Sequence, residues 1–143
     1  MESHGGAWLM AASELLLLSN SSVHGGSYLE FALPEIRSFL GGVDRVAFVP
    51  FARADHDQYT ARLEGALAPL GVSVLGLHTL ANLAGALAEV GAVFVGGGNS
   101  FRLLKAMQHH GLIDVIRDGV TAGRLRYMGA SAGTNMACPS LRT

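Results

Sequence analysis

A single cysteine, Cys138, stands among the 143 residues. One thiol cannot build an intramolecular disulfide framework, and this usage fits a reducing compartment. Charge is scarce as well: only 15% of residues are Asp, Glu, Lys or Arg, ten basic against eleven acidic, with no long run of either sign. The basic face that nucleic acid or an anionic membrane demands is therefore missing, and neither is expected as a partner. Long apolar runs are missing too. The stretch Ala7 to Ala12 is too short for a signal peptide or a membrane span, and no basic segment precedes it. Residues 1–13 are read as an N-terminal extension without fixed structure, and the protein as cytoplasmic. No G-x-x-x-x-G-K-[ST] occurs. None of the six histidines (His4, His24, His56, His78, His109, His110) has a partner at metal-ligand spacing, and none follows Ser131.

What remains is half hydrophobic, which suits a buried parallel sheet whose strands are apolar on both faces. Five short apolar runs read as strands: Glu14 to Ser19, Arg45 to Pro50, Val72 to Leu77, Ala92 to Val95 and Leu125 to Ala130. Helical patterns alternate with them at Ser27 to Leu40, Asp57 to Leu70, Asn82 to Val90, Phe101 to His110 and Ile113 to Thr121. Pro34 kinks the first of these helices or delays its start, and Gly71 is the natural stop of the second. Asp55 and Asp57 sit at a helix start, where carboxylates cap N–H groups. Such alternation with short loops implies an α/β fold: a doubly wound, mostly parallel sheet with helices on both faces. Ligands then bind beyond the carboxyl ends of the strands. The loops Ser19 to Ser27, Gly96 to Ser100 and Gly129 to Gly133 are expected on that edge.

The last of these loops, Gly129-Ala130-Ser131-Ala132-Gly133, reads G-x-S-x-G behind an apolar strand. That is the pattern of a nucleophile elbow, a sharp strand-to-helix turn that lifts a serine hydroxyl above the sheet. The serine then sits at a helix N-terminus, where the next N–H, that of Ala132, is placed to bind a developing oxyanion. The plainer alternative is a small-residue turn that packs a helix tightly on a sheet.

Gly96-Gly97-Gly98-Asn99-Ser100 also carries two readings. In one, its backbone N–H faces the same edge and supplies a second oxyanion donor, with Asn99 or Ser100 capping the next helix. In the other it is a flexible turn. A dinucleotide fingerprint fails at the third glycine, where Phe101 stands. His109 and His110 are adjacent at a helix end, so their side chains are expected to diverge. His24 lies on the loop after the first strand, near the expected site, and a role as base to Ser131 is the disfavoured reading of it. Cys138, with nothing basic nearby, reads as a buried small residue.

Taken in order, Glu14-Leu15-Leu16-Leu17-Leu18-Ser19-Asn20-Ser21, Val49-Pro50-Phe51-Ala52, Leu67-Ala68-Pro69-Leu70-Gly71-Val72, Val95 to Leu104 and Gly129 to Pro139 resemble the peptidase E family of α-aspartyl dipeptidases. That family lies in the class I glutamine amidotransferase-like superfamily, of flavodoxin-like architecture. The resemblance covers Glu14 to Thr143. It implies hydrolysis of dipeptides with an N-terminal aspartate, Ser131 as nucleophile, Gly98 and Ala132 as the oxyanion hole, and no metal or cofactor. It also places the serine's histidine and glutamate partners later in the chain than Thr143. Residues 14–143 are thus expected to form the N-terminal portion of one α/β peptidase domain, truncated after the elbow. As such it is expected to be inactive on its own and to self-associate through an exposed sheet edge. A non-catalytic truncated form and another serine acyl hydrolase on the same elbow are the alternatives. The side chains that read the substrate's α-amino group and aspartyl carboxylate are not assigned by the sequence.

Overall fold

Alternate residues of each central strand enter two separate cores, and this explains why the strand sequences are apolar throughout. The computed structural model describes residues 2–4, 7–11, 15–18, 29, 32–130 and 133. Its strands are β1 (Glu2–His4), β2 (Ala7–Ala11), β3 (Leu15–Leu18), β4 (Arg45–Val49), β5 (Ser73–Gly76), β6 (Ala92–Val95) and β7 (Arg126–Ala130). They form one sheet in the order β1-β2-β3-β7-β6-β4-β5. The five strands from β3 to β5 across the sheet are parallel, with Leu16 opposite Met128, Val93 opposite Tyr127, Val46 opposite Ala92 and Arg45 opposite Ser73. Leu16, Leu18, Val46, Phe48, Ala92, Phe94, Met128 and Ala130 face one core. Leu17, Ala47, Val49, Val93, Val95 and Tyr127 face the other. The period of two along a pleated strand requires this division.

The helices are α1 (Leu33–Phe39), α2 (His56–Leu67), α3 (Leu83–Leu87), α4 (Ser100–His109) and α5 (Leu112–Thr121). Ile36 and Phe39 of α1 join Tyr59, Leu63 and Leu67 of α2 in the first core. Leu83 and Leu87 of α3, Leu103 and Met107 of α4, and Leu112, Ile116 and Val120 of α5 fill the second. From β3 through β4 to β5 the chain crosses the sheet in one direction with its helices on the first face. From β5 through β6 to β7 it returns with its helices on the other. Right-handed crossovers demand that change of face when the direction reverses. Neighbouring strands β4 and β6 are where the two halves meet. The chain leaves β4 toward one face and β6 toward the other, so a crevice opens between their following loops.

All five expected strands are present within a residue or two of their expected bounds, and the doubly wound α/β class holds. Two differences have physical causes. Residues 1–13, read as an extension without structure, carry β1 and β2. The two pair antiparallel, and β2 pairs antiparallel with β3 (Met10 opposite Leu17). Their ladder occupies the backbone groups on the free side of β3, which would otherwise be an open edge. The helix expected from Ser27 is described only from Leu33, with Pro34 in its first turn. A proline there lacks only an N–H that the helix would not have used. Among the described residues no helix is long and apolar enough to cross a membrane.

Candidate active site

The carboxyl ends of β3, β7, β6 and β4 lie on one edge of the sheet because these strands are parallel. Gly129 is the penultimate residue of β7, and Gly133, four residues later, is helical and buried. A Cβ on Gly129 would stand 2.8 Å from the carbonyl carbon and oxygen of Gly133. One on Gly133 would stand 2.1 Å from the Val95 carbonyl oxygen of β6. Gly129 and Gly133 are each packed so closely against backbone that only glycine fits at either. The buried Tyr127 hydroxyl donates to the Gly133 carbonyl at 2.6 Å and fastens the turn to its own strand. Ser131 and Ala132 lie between the two glycines in sequence and are outside the described residues, as are His24, Cys138 and the loop from Ser19 to Ser27.

The loop after β6 is laced to the loop after β4. The Gly96 N–H donates to the Val49 carbonyl at 3.1 Å and the Asn99 N–H to the Ala52 carbonyl at 2.9 Å. Gly98 adopts φ +146°, and a Cβ there would stand 2.7 Å from the Ala52 carbonyl oxygen. A side chain at 98 is thus excluded by both conformation and space. Of the two cap candidates, Asn99 acts: its side chain accepts from the Arg102 N–H at 2.9 Å at the start of α4. Asp55 does the same for α2, accepting from the Gln58 N–H at 3.0 Å. The Tyr59 hydroxyl donates to the Gly97 carbonyl at 3.0 Å, and the Arg53 Nε donates to the same oxygen at 3.3 Å. The Arg53 guanidinium carbon rests 4.7 Å from the Tyr59 ring centre. Ala52, Arg53, Asp55, Tyr59, Gly98 and Asn99 are among the residues around a pocket of about 440 Å³ in this crevice.

A family model described as Peptidase family S51 matches residues 15–143, which takes in the strands, the glycine loop and the G-x-S-x-G turn. The chain belongs to peptidase family S51. It is 58% identical over 129 residues to Peptidase E of Streptomyces coelicolor, covering 90% of this chain and 53% of that protein. To Peptidase E of Citrobacter koseri it is 48% identical over 132 residues, 91% of this chain and 57% of the other. A crystal structure from Listeria monocytogenes EGD-e, of a protein named as a candidate peptidase E, superposes with a TM-score of 0.70 at 26% identity. That match covers 92% of this chain and 64% of the other. The chain spans about half the length of the curated relatives it matches.

Two features of this S51 chain escaped the sequence reading. His109 and His110 do not diverge: their rings meet edge to face with centroids 4.9 Å apart. His110 is the C-cap of α4, with φ −90° and ψ 0°, and its ring stacks on Phe51 with centroids 5.2 Å apart. Phe51 also meets His56 at 5.3 Å, and His56 meets His78, whose Nε2 lies 2.7 Å from an Asp57 carboxylate oxygen. Among the described residues no group of three or more His, Cys, Asp or Glu is arranged to hold a metal ion. The second feature is Arg53 with Tyr59. The loop after β4 has none of the Gly-rich composition that marks the other loops. The cue available was positional: a basic residue just beyond the carboxyl end of a central strand.

Proposed function

We propose that the protein is a serine peptidase that hydrolyses dipeptides bearing an N-terminal aspartate. Ser131 attacks the peptide carbonyl, a base takes the hydroxyl proton, and an acyl-enzyme forms as the leaving amine departs. Water then releases the aspartate. The N–H groups of Ala132 and Gly98 stabilise the tetrahedral oxyanion, each worth roughly a hundredfold or more in turnover. The observation that carries this reading is the closeness of Gly129 to Gly133 and of Gly133 to the Val95 carbonyl. A turn that tight, at the carboxyl end of β7 and one strand from the Gly98 loop, is what an elbow needs in order to raise the residue between. Membership of family S51 and likeness to proteins named Peptidase E support the substrate class.

A dipeptide panel tests it. In the protein extended by the histidine- and glutamate-bearing part that the family resemblance implies, Asp-Leu should be cleaved in preference to Glu-Leu and Leu-Leu, and Ser131→Ala should lower Asp-Leu turnover at least roughly a thousandfold while leaving the circular dichroism spectrum unchanged. Near-normal cleavage by Ser131→Ala would remove the serine from the mechanism. Ser131-dependent cleavage of esters without cleavage of Asp-X would replace the dipeptidase reading by another acyl hydrolase.

A further inference from the structure

We propose that the pocket between the loops after β4 and β6 is a carboxylate-binding subsite, with Arg53 as the residue that reads the carboxylate; this rests on the Asp-X reading above. Position is the first argument. Strands β4 and β6 are neighbours whose chains depart to opposite faces, and the crevice at such a switch point is where open α/β sheets hold ligands. Gly98, the proposed oxyanion donor, lines the same pocket, so a group bound here is next to the reacting carbonyl.

Arg53 is held in place by its neighbours. Its Nε is committed to the Gly97 carbonyl, its guanidinium lies on the Tyr59 ring, and the Tyr59 hydroxyl bonds to that same carbonyl. A guanidinium fixed by one edge and one face keeps its two Nη groups for a planar acceptor, and a carboxylate matches that fork. Among the described residues those Nη groups take no further hydrogen bond. Fixing the side chain beforehand reduces the entropy lost on binding.

Charge is a further argument. Arg53 and Asp55 line the pocket, and the Asp55 carboxylate is engaged at the head of α2, accepting from the Gln58 N–H. An Asp-X dipeptide at neutral pH carries two carboxylates, either of which can meet the Arg53 guanidinium. Helices α2 and α4 both begin at this pocket, through Asp55 and Gln58 and through Asn99, and their positive ends add to the attraction for an anion. The volume of about 440 Å³ suits a small ligand.

The carboxylate bound can be the aspartyl side chain or the C-terminus of the dipeptide, and the test separates them. Calorimetric binding of Asp-Leu, Asn-Leu and Asp-Leu amide is measured on the full chain carrying Ser131→Ala, alone and with Arg53→Ala or Arg53→Lys. Thermal melting confirms that each variant is folded. Arg53→Ala is expected to weaken Asp-Leu binding roughly tenfold to a hundredfold, and Arg53→Lys to restore part of it. Loss of this penalty on Asn-Leu assigns Arg53 to the aspartyl side chain, and loss on Asp-Leu amide assigns it to the C-terminus. An equal penalty on all three ligands, or none on Asp-Leu, overturns the subsite, as does absence of Asp-Leu binding before Arg53 is changed. Hydrolysis is scored separately on the unsubstituted protein extended by the histidine- and glutamate-bearing part that the family resemblance implies. Arg53-dependent binding without Ser131-dependent cleavage would sink the peptidase reading and leave the subsite standing.

Discussion

Glycine positions in this chain divide sharply by what a Cβ would meet. At Gly133 the added atom would stand 2.1 Å from a β6 carbonyl oxygen, and backbone rather than a flexible side chain would have to move. Gly133→Ala should destabilise the fold by about 2–4 kcal/mol in urea unfolding. A loss below about 0.5 kcal/mol would show that the turn is looser than described. At Gly98 the conformation and the Ala52 carbonyl both oppose a side chain. In the complete enzyme, Gly98→Val should lower Asp-Leu turnover roughly a hundredfold or more by displacing the proposed oxyanion donor. Unchanged turnover at unchanged stability would take that loop out of the mechanism. Gly65 is the contrast: it lies inside α2, exposed, with nothing within 4 Å of where a methyl group would stand. Gly65→Ala should stabilise the protein by about 0.5–1 kcal/mol, read as a raised melting temperature. Sequence inspection finds the G-x-S-x-G spacing but cannot separate an elbow from a merely compact turn. Nor can it see the approach of β6, a strand more than thirty residues earlier in the chain, which leaves no room for a side chain at 133.

At the scale of elements, two N-caps shape the crevice. Asn99 ends the glycine loop and starts α4, and Asp55 ends the β4 loop and starts α2. Replacing either by Ala leaves helix N–H groups without a partner and should cost about 1 kcal/mol. Chemical denaturation of Asn99→Ala checks this, and an unchanged midpoint would mean that Ser100 or water takes over the cap. Arg126 performs the opposite service at the end of α1, donating from Nη1 to the carbonyls of Phe39 at 2.8 Å and Gly41 at 3.1 Å. The elements were legible where local pattern decides them. Strands apolar on both faces, caps at Asp55 and Asn99, and the stop at Gly71 all follow from nearby residues. The hairpin of β1 and β2 was not legible, since it depends on the free edge of β3, to which a short apolar segment near the N-terminus can pair. The stacking of His110 on Phe51 was hidden for a similar reason: the two lie far apart in sequence and meet only through the fold.

Across the whole molecule, reversal of winding between β4 and β6 and the parallel run β3-β7-β6-β4 bring three loops to one edge. The reading from sequence anticipated that edge and two of its glycine-rich loops. It passed over the loop after β4 because composition, not topology, drew attention to loops. The chain belongs to family S51, and the close packing around Gly129, Gly133 and Gly98 lies at this edge; the serine-centred acyl transfer proposed above is tested there. The most direct measurement is mass spectrometry, after exposure to a serine-directed fluorophosphonate, of the protein extended by the part that the family resemblance implies bears the serine's histidine and glutamate partners. The account predicts a single adduct, located by peptide mapping on Ser131 and absent from Ser131→Ala. A folded protein that takes up no label, or one labelled at another serine with Ser131 unmodified, would contradict it.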